Sequence, residues 1–196
     1  MEAFTELDAV ASPVMRQNID TDIVIPIHRL RDVAQAELGP YAFEPLRYLP
    51  DGSDNPEFPL NKPAFKGAEI LVADNNFACG SSREGAVWAL AGMGVKAVIA
   101  PSYGDIFYSN CFKNGVLPIK VSKQTLQKLF ETKSEIEVDL ENQLIKFDAT
   151  KIPFEIEAHW KKILLEGLDD IAVTLTREDK ISKYERSQAN TKFPAS

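Results

Sequence analysis

Cysteine is scarce in this 196-residue chain, which has only Cys79 and Cys111. Two thiols allow at most one disulfide, give no zinc spacing, and fall short of the three or four thiolates an iron–sulfur cluster usually takes. The chain alone is therefore not expected to hold a cluster or another metal. Long apolar runs are missing too. No stretch of about 18 apolar residues occurs, so no membrane-spanning helix is expected. The opening Met1-Glu2-Ala3-Phe4-Thr5-Glu6 carries acid where a secretory signal carries base, and the expected compartment is the cytoplasm. Basic residues are in deficit: 22 Lys and Arg stand against 29 Asp and Glu, a net charge of −7. That balance argues against a nucleic-acid footprint, although a local cluster of donors can still hold a small anion.

The length suits one sizeable core, so residues 1–196 are expected to form a single domain, with a polar tail from about residue 184 that frays. The middle of the chain carries the clearest pattern. Residues 68–73 and 95–100 read as short buried strands, and 116–121 as a third. Between them, 81–93 and about 103–112 have helical apolar spacing, with Gly94 placed as a C-terminal cap. This β-α-β-α-β order predicts an α/β fold with a parallel sheet covered by helices. Residues 122–132 predict a capped helix with Leu126, Leu129 and Phe130 inward. Residues 136–140 and 143–147 flank Glu141-Asn142 as a hairpin, and a further helix follows over about 154–165. The N-terminal third differs. Eight of the twelve prolines fall at Pro13 and from Pro26 to Pro63, and so irregular a stretch is expected to be a binding loop.

Asn76-Phe77-Ala78-Cys79-Gly80-Ser81-Ser82-Arg83-Glu84 joins the first of those strands to the next helix. Gly80 lets the backbone approach a ligand, the helix start offers free N–H groups, and Arg83 can grip a carboxylate through two parallel bonds. Ligands of open parallel sheets favour the carboxyl ends of the strands, where this loop falls. Ser81-x-x-Glu84 is also a capping box, and on spacing alone that structural role has the better claim. No GxxxxGK[ST] string is present, which removes a nucleotide P-loop.

The whole string, continued by Ala86-x-Trp88-Ala89-Leu90, closely resembles the signature of the 3-isopropylmalate dehydratase small-subunit family. More loosely it is similar to the swivelling domain of aconitase. Asn18-Ile19-Asp20-Thr21-Asp22, Lys96-Ala97-Val98-Ile99-Ala100-Pro101-Ser102, Asp105-Ile106-Phe107, Asn114-Gly115-x-Leu117-Pro118 and Gly167-Leu168-Asp169-Asp170-Ile171 extend the likeness over nearly the whole chain. The resemblance implies a three-layer β/β/α swivelling domain with a central parallel sheet and a smaller antiparallel layer. It implies a hydro-lyase that interconverts 2- and 3-isopropylmalate in leucine biosynthesis. A large subunit is implied as partner, in a heterodimer or heterotetramer, with a [4Fe–4S] cluster in that subunit and a small dicarboxylate as substrate. By similarity Ser81 moves the carbon-bound proton, Arg83 and Ser82 hold the substrate, and Gly80 supports the loop. Asp22 either orients a group of the partner or serves as a local turn cap.

Two departures bear on the substrate. Gly85 stands where the family usually has histidine, and Gln35-Ala36-Glu37-Leu38 replaces an Arg-Thr-Gly-Phe-like stretch thought to read the side group. Arg29 and Arg31 nearby are candidate carboxylate contacts. The competing readings are a paralogue for methylmalate/citraconate, dimethylmalate or homoaconitate, and an anion-binding module without catalysis. His159, beside Trp160 on an amphipathic pattern, reads as structural, and Cys111 as a small buried hydrophobe. Cys79 reads as packing or hydrogen bonding, since the reaction needs no covalent intermediate. His28 is assigned no role.

Overall fold

The buried strands of the middle region pair side by side, and of two strands near the N-terminus one joins them while the other joins the later hairpin strands in a second sheet. A computed structural model of the chain describes residues 1–132 and 134–189. The N-terminal segment runs through β1 (Glu6–Ala9) and β2 (Ala11–Val14). It continues into the short helices α1 (Thr21–Val24), α2 (Ile27–Asp32) and α3 (Glu44–Arg47). Then follow β3 (Ile70–Ala73), α4 (Gly85–Gly92), β4 (Ala97–Ala100), α5 (Asp105–Lys113), β5 (Leu117–Lys120) and α6 (Lys123–Glu131). The remainder holds β6 (Ile136–Asp139), β7 (Leu144–Phe147), β8 (Thr150–Pro153), α7 (Ala158–Glu166), α8 (Asp170–Leu175) and α9 (Glu178–Ala189).

Strands β2-β3-β4-β5 form a parallel sheet, and β1-β6-β7-β8 an antiparallel one. The α/β expectation with a parallel sheet and a second, antiparallel layer is borne out. β3 and β4 are buried on both faces, as a covered parallel sheet requires. Their side chains divide by the two-residue period. Leu71, Ala73, Val98 and Ala100 enter one core with Phe43, Phe77, Leu90 and Phe107. Ile70, Val72, Ala97 and Ile99 enter a second, shared with Val138 and Ile145 of the antiparallel sheet. Pro13 and Pro118 lie in β2 and β5, the two edge strands, where a missing N–H costs no ladder bond.

The predicted central elements are present with trimmed ends. β1, β2 and β8 were not predicted, since their sequences ELDA, ASPV and TKIP carry only one large apolar side chain each. Phe130 was expected inward but is 46% exposed, while Leu126 and Leu129 are buried. It sits at the margin of the apolar stripe of α6 and lines an open cleft with Met15, Phe58 and Phe65. The polar tail expected from about residue 184 is helical as far as Ala189, and residues 190–196 lie outside the described residues.

The proline-rich stretch is not featureless. It folds as α1 to α3 and several 3-10 turns packed against α4. Gly39 makes the closest approach: a Cβ there would stand 2.2 Å from the carbonyl oxygen of Gly92 at the end of α4. Both partners are backbone, so neither can give way cheaply. Gly39→Ala is expected to destabilise the fold by about 1–3 kcal/mol, read as a lower urea midpoint. An unchanged midpoint would show that this contact does not hold the segment to α4.

Candidate active site

The loop after β3 owes its shape to its neighbours on both sides. Asn76 N–H donates to Ser102 Oγ at 2.8 Å, and Phe77 N–H to the Ser102 carbonyl at 3.0 Å. Gly104 N–H returns a bond to the Phe77 carbonyl at 2.9 Å. On the other side Cys79 N–H donates to Ile19 O at 3.1 Å, and Thr21 N–H to Cys79 O at 3.0 Å. The loop is thus clipped between the segments that follow β2 and β4. Asn76, Ala78 and Gly80 alternate in the left-handed region, with φ of 58°, 51° and 88°, and only glycine adopts it without steric cost. Gly104 is glycine for another reason: a Cβ there would stand 2.6 Å from the Ala78 carbonyl oxygen.

This clipping presents Ser81 and Ser82, both exposed, just before α4. Ser81 is not a helix cap. Helix α4 begins only at Gly85, its N-cap residue is Glu84, and no side chain caps it. The capping-box expectation is therefore corrected. Glu84 instead accepts a hydrogen bond from Asn114 Nδ2 at 2.8 Å. The Ser81 hydroxyl is left free of that structural duty, while its carbonyl lies 3.4 Å from Thr21 Oγ1.

The local cap considered for Asp22 is supplied by Asp20 instead. Asp20 caps α1, accepting from Ile23 N–H at 2.8 Å. Asp22 forms an ion pair with Arg83 through one guanidinium nitrogen, Nη1. The Arg83 side chain is only 20% exposed against 54% for Asp22, so the pair stands at the surface with its guanidinium sheltered. Arg83 is oriented by that one bond, and its remaining N–H groups lie outside it.

Ser81 opens on a cleft of about 450 Å³, with Asn76, Cys79 and Gly80 on its own side and Gly104, Asp105 and Ile106 opposite. Of the side chains of the Ser81–Arg83 turn only Ser81 lines this cleft; Ser82 and Arg83 are not among its lining residues. They offer a second exposed hydroxyl and an oriented guanidinium next to it in the chain, donors suited to a small carboxylate. Asp105 and Ile106 entered the sequence reading only as a motif. Their place in the cleft wall follows from α5 starting beside the loop, which spacing does not reveal. Tyr103 was also missed. Its buried hydroxyl lies 2.7 Å from the carbonyls of Val98 and Ile119, tying the cleft floor to β4 and β5.

The two candidate arginines of α2 are engaged elsewhere. Arg29 donates from Nε and Nη2 to both oxygens of Glu44, at 2.8 and 2.5 Å, and lies 4.2 Å over the Tyr41 ring. That guanidinium holds the Glu44 carboxyl below its ordinary value. Arg31 is at the surface, paired with its neighbour Asp32 at 2.6 and 3.0 Å. No hydrogen bond or ion pair among the described residues joins either arginine to the Ser81–Arg83 turn. Both histidines, His28 and His159, are exposed. Cys111 is fully buried, and burial pushes its thiol well above the usual range.

Packing bears on Gly85 and Leu38, and gives no reason for Gln35–Glu37. A Cβ at Gly85 would stand 2.4 Å from Leu30 Cδ2, so the leucine of α2 fills the space beside the first turn of α4. Gln35–Glu37 is an exposed 3-10 turn, but Leu38 is only 1% exposed and belongs to the core.

Comparison with known proteins bears on the family and the fold. The family model described as the aconitase C-terminal domain matches residues 1–124. The 3-isopropylmalate dehydratase small subunit of Rhodopseudomonas palustris (strain TIE-1) is 49% identical over 191 residues, 94% of this chain and 95% of that protein. The same-named protein of Rhodospirillum rubrum is 48% identical over 195 residues, 96% of this chain and 94% of its own. A crystal structure of 3-isopropylmalate dehydratase from Methanocaldococcus jannaschii superposes with a TM-score of 0.69 at 28% identity, covering 91% of this chain and 99% of that one.

Proposed function

Since the chain belongs to the aconitase C-terminal domain family, and within it to the 3-isopropylmalate dehydratase small subunits, we propose that it forms one side of a hydro-lyase site interconverting 2- and 3-isopropylmalate. The observation that carries this reading is the 49% identity sustained over 94% of the chain to a relative of that name. Its partner is a large subunit, in a heterodimer or heterotetramer. The paralogue and anion-module readings are not favoured, because the relatives bear one name and the Ser81–Arg83 turn is free of the capping duty that would make it structural.

A [4Fe–4S] cluster is assigned to the large subunit. This chain's own donors do not fit one: it has two cysteines, Cys111 is buried in the core, and no group of three His, Cys, Asp or Glu comes together among the described residues.

In this chain's half of the reaction, Ser81 Oγ takes the proton from the carbon next to the one that loses hydroxide. The double bond forms between those two carbons. In rehydration the Ser81 hydroxyl delivers the proton to the carbon that lost hydroxide, while hydroxide adds at the carbon that lost the proton. One water thus returns with its two parts exchanged between the carbons. An alkoxide needs positive charge close by, which the Arg83 guanidinium and the start of α4 supply. Arg83, oriented by Asp22, grips a substrate carboxylate, and Ser82 adds a hydrogen bond. Gly80 lets the loop backbone come close. Arg29 holds α2 through Glu44 and reaches substrate only if that pair opens. Among the described residues no helix is long and apolar enough to cross a membrane, and the cytoplasm is the proposed compartment.

The test is a panel of kcat/KM values for the enzyme assembled with its cognate large subunit, on malates bearing hydrogen, methyl, dimethyl and isopropyl groups. One methylene in an apolar pocket is worth roughly 10- to 200-fold. Isopropylmalate is expected to lead methylmalate by at least that margin. A lead for methylmalate would transfer the chain to a paralogous substrate.

A further inference from the structure

We propose that Asn114 is a positioning residue for this reaction: through Glu84 and Trp88 it fixes the turn that carries Ser81 and Arg83. The inference rests on the hydro-lyase reading given above and deepens it.

The Asn114 side chain is fully committed. Its Nδ2 donates to Glu84 Oε1 at 2.8 Å and to the Asn110 carbonyl at 2.9 Å. Its Oδ1 accepts from the indole Nε1 of Trp88 at 3.1 Å. Both N–H donors and the carbonyl are used, so an inverted amide would set N–H against N–H at Trp88 and oxygen against oxygen at Glu84. The backbone is pinned as well. Asn114 N–H and Val116 N–H both donate to the Cys111 carbonyl, at 3.1 and 3.0 Å. Asn114 is thus a fixed point at the C-terminal end of α5.

What it holds is the start of α4. Glu84 directly follows Arg83, and Trp88 lies four residues further on, so the two share one face of the helix. Bonds to both set the rotation of α4 about its axis and the direction in which Ser81 to Arg83 leave it. The other end of α5, at Asp105 and Ile106, forms the opposite wall of the cleft. One nine-residue helix therefore carries that wall at one end and the anchor at the other. Its Asn114 contact registers Ser81 against the wall.

The experiment uses the enzyme assembled with its large subunit, with kcat expressed per assembled complex. Asn114→Asp keeps the shape but replaces both donors by a carboxylate facing Glu84. It is expected to lower kcat by about 10- to 100-fold, the cost of misplacing a reacting group by about 1 Å, with KM changed by less. Glu84→Ala should reproduce the loss, and Glu84→Gln, which keeps an oxygen acceptor, should recover most of it. Combining Glu84→Ala with Asn114→Ala should lower kcat below Glu84→Ala alone by no more than the roughly two- to tenfold of the Trp88 bond, which is less than the product of the two single losses. If Asn114→Asp does not assemble, Trp88→Phe removes one donor and is expected to lower kcat by roughly two- to tenfold, the worth of one neutral hydrogen bond. A structural role alone would reduce the yield of complex and leave kcat per complex and KM at wild-type values. That result for the assembled variants overturns the inference. A wild-type complex that fails to turn over isopropylmalate overturns the hydro-lyase reading itself, and the inference with it.

Discussion

Ser81→Ala is expected to abolish nearly all turnover by the assembled enzyme while leaving the fold intact. A positioned acid–base group contributes roughly 10²- to 10⁴-fold, and the loss should fall at the upper end because Ser81 is the one hydroxyl of this turn that lines the cleft, Ser82 not being among its lining residues. Arg83 is cationic and already paired with Asp22, and Cys79 faces the cleft without the geometry of the turn. The structure sharpens the control. Had Ser81 capped α4, its loss would have cost about 1 kcal/mol of stability. It is exposed and the N-cap residue is Glu84, so stability should stay within about 0.5 kcal/mol of wild type. Denaturant midpoint and kcat are therefore measured on the same preparation. A folded, assembled Ser81→Ala variant with near-normal kcat would remove Ser81 from the chemistry.

The second large effect is all or none. The purified chain alone is expected to be colourless and to dehydrate no malate, and activity should appear on adding a cluster-loaded large subunit under anaerobic conditions. The reason lies in the donor count: two cysteines, one of them buried in the core, fall short of a cluster's three or four thiolates. The cleft beside Ser81 is also open to solvent, since Ser81, Asp105 and Ile106 in its lining are all exposed. Turnover by the isolated, metal-free chain would end the two-subunit reading.

Much of the site was legible in the chain itself, for a local reason. A strand, a glycine-containing turn and a helix in succession place Gly80, Ser81, Ser82 and Arg83 at the carboxyl edge of β3 whatever surrounds them. The three central strands were equally plain, because burial on both faces of β3 and β4 leaves continuous apolar runs. Other expectations failed where several local partners compete. Glu84 has an attractive partner in Ser81 by spacing, yet its carboxylate bonds to Asn114, 30 residues away. Arg29 looked available for a substrate and is held by Glu44 and Tyr41. Phe130 was expected inward on the apolar period of α6 and is 46% exposed, lining an open cleft.

By itself, then, the amino-acid order determined the parallel β-α-β-α-β core, the hairpin of β6 and β7, the Gly80–Arg83 turn and the lack of thiols for a cluster. Each depends on periodicity, turn chemistry or composition, which act within a few residues or over the whole chain. Tertiary structure alone decided that one N-terminal segment supplies a strand to each sheet and that Gly39 closes on Gly92. It likewise decided that Leu30 fills the space above Gly85, that Asp22 rather than Asp20 meets Arg83, and that Asn114 anchors Glu84. Each of these pairs residues far apart in sequence, and Asp22 and Arg83 are separated by 61 positions. Which of several feasible hydrogen bonds or packing contacts forms at such a distance depends on where the intervening chain is held, and no local pattern carries that information.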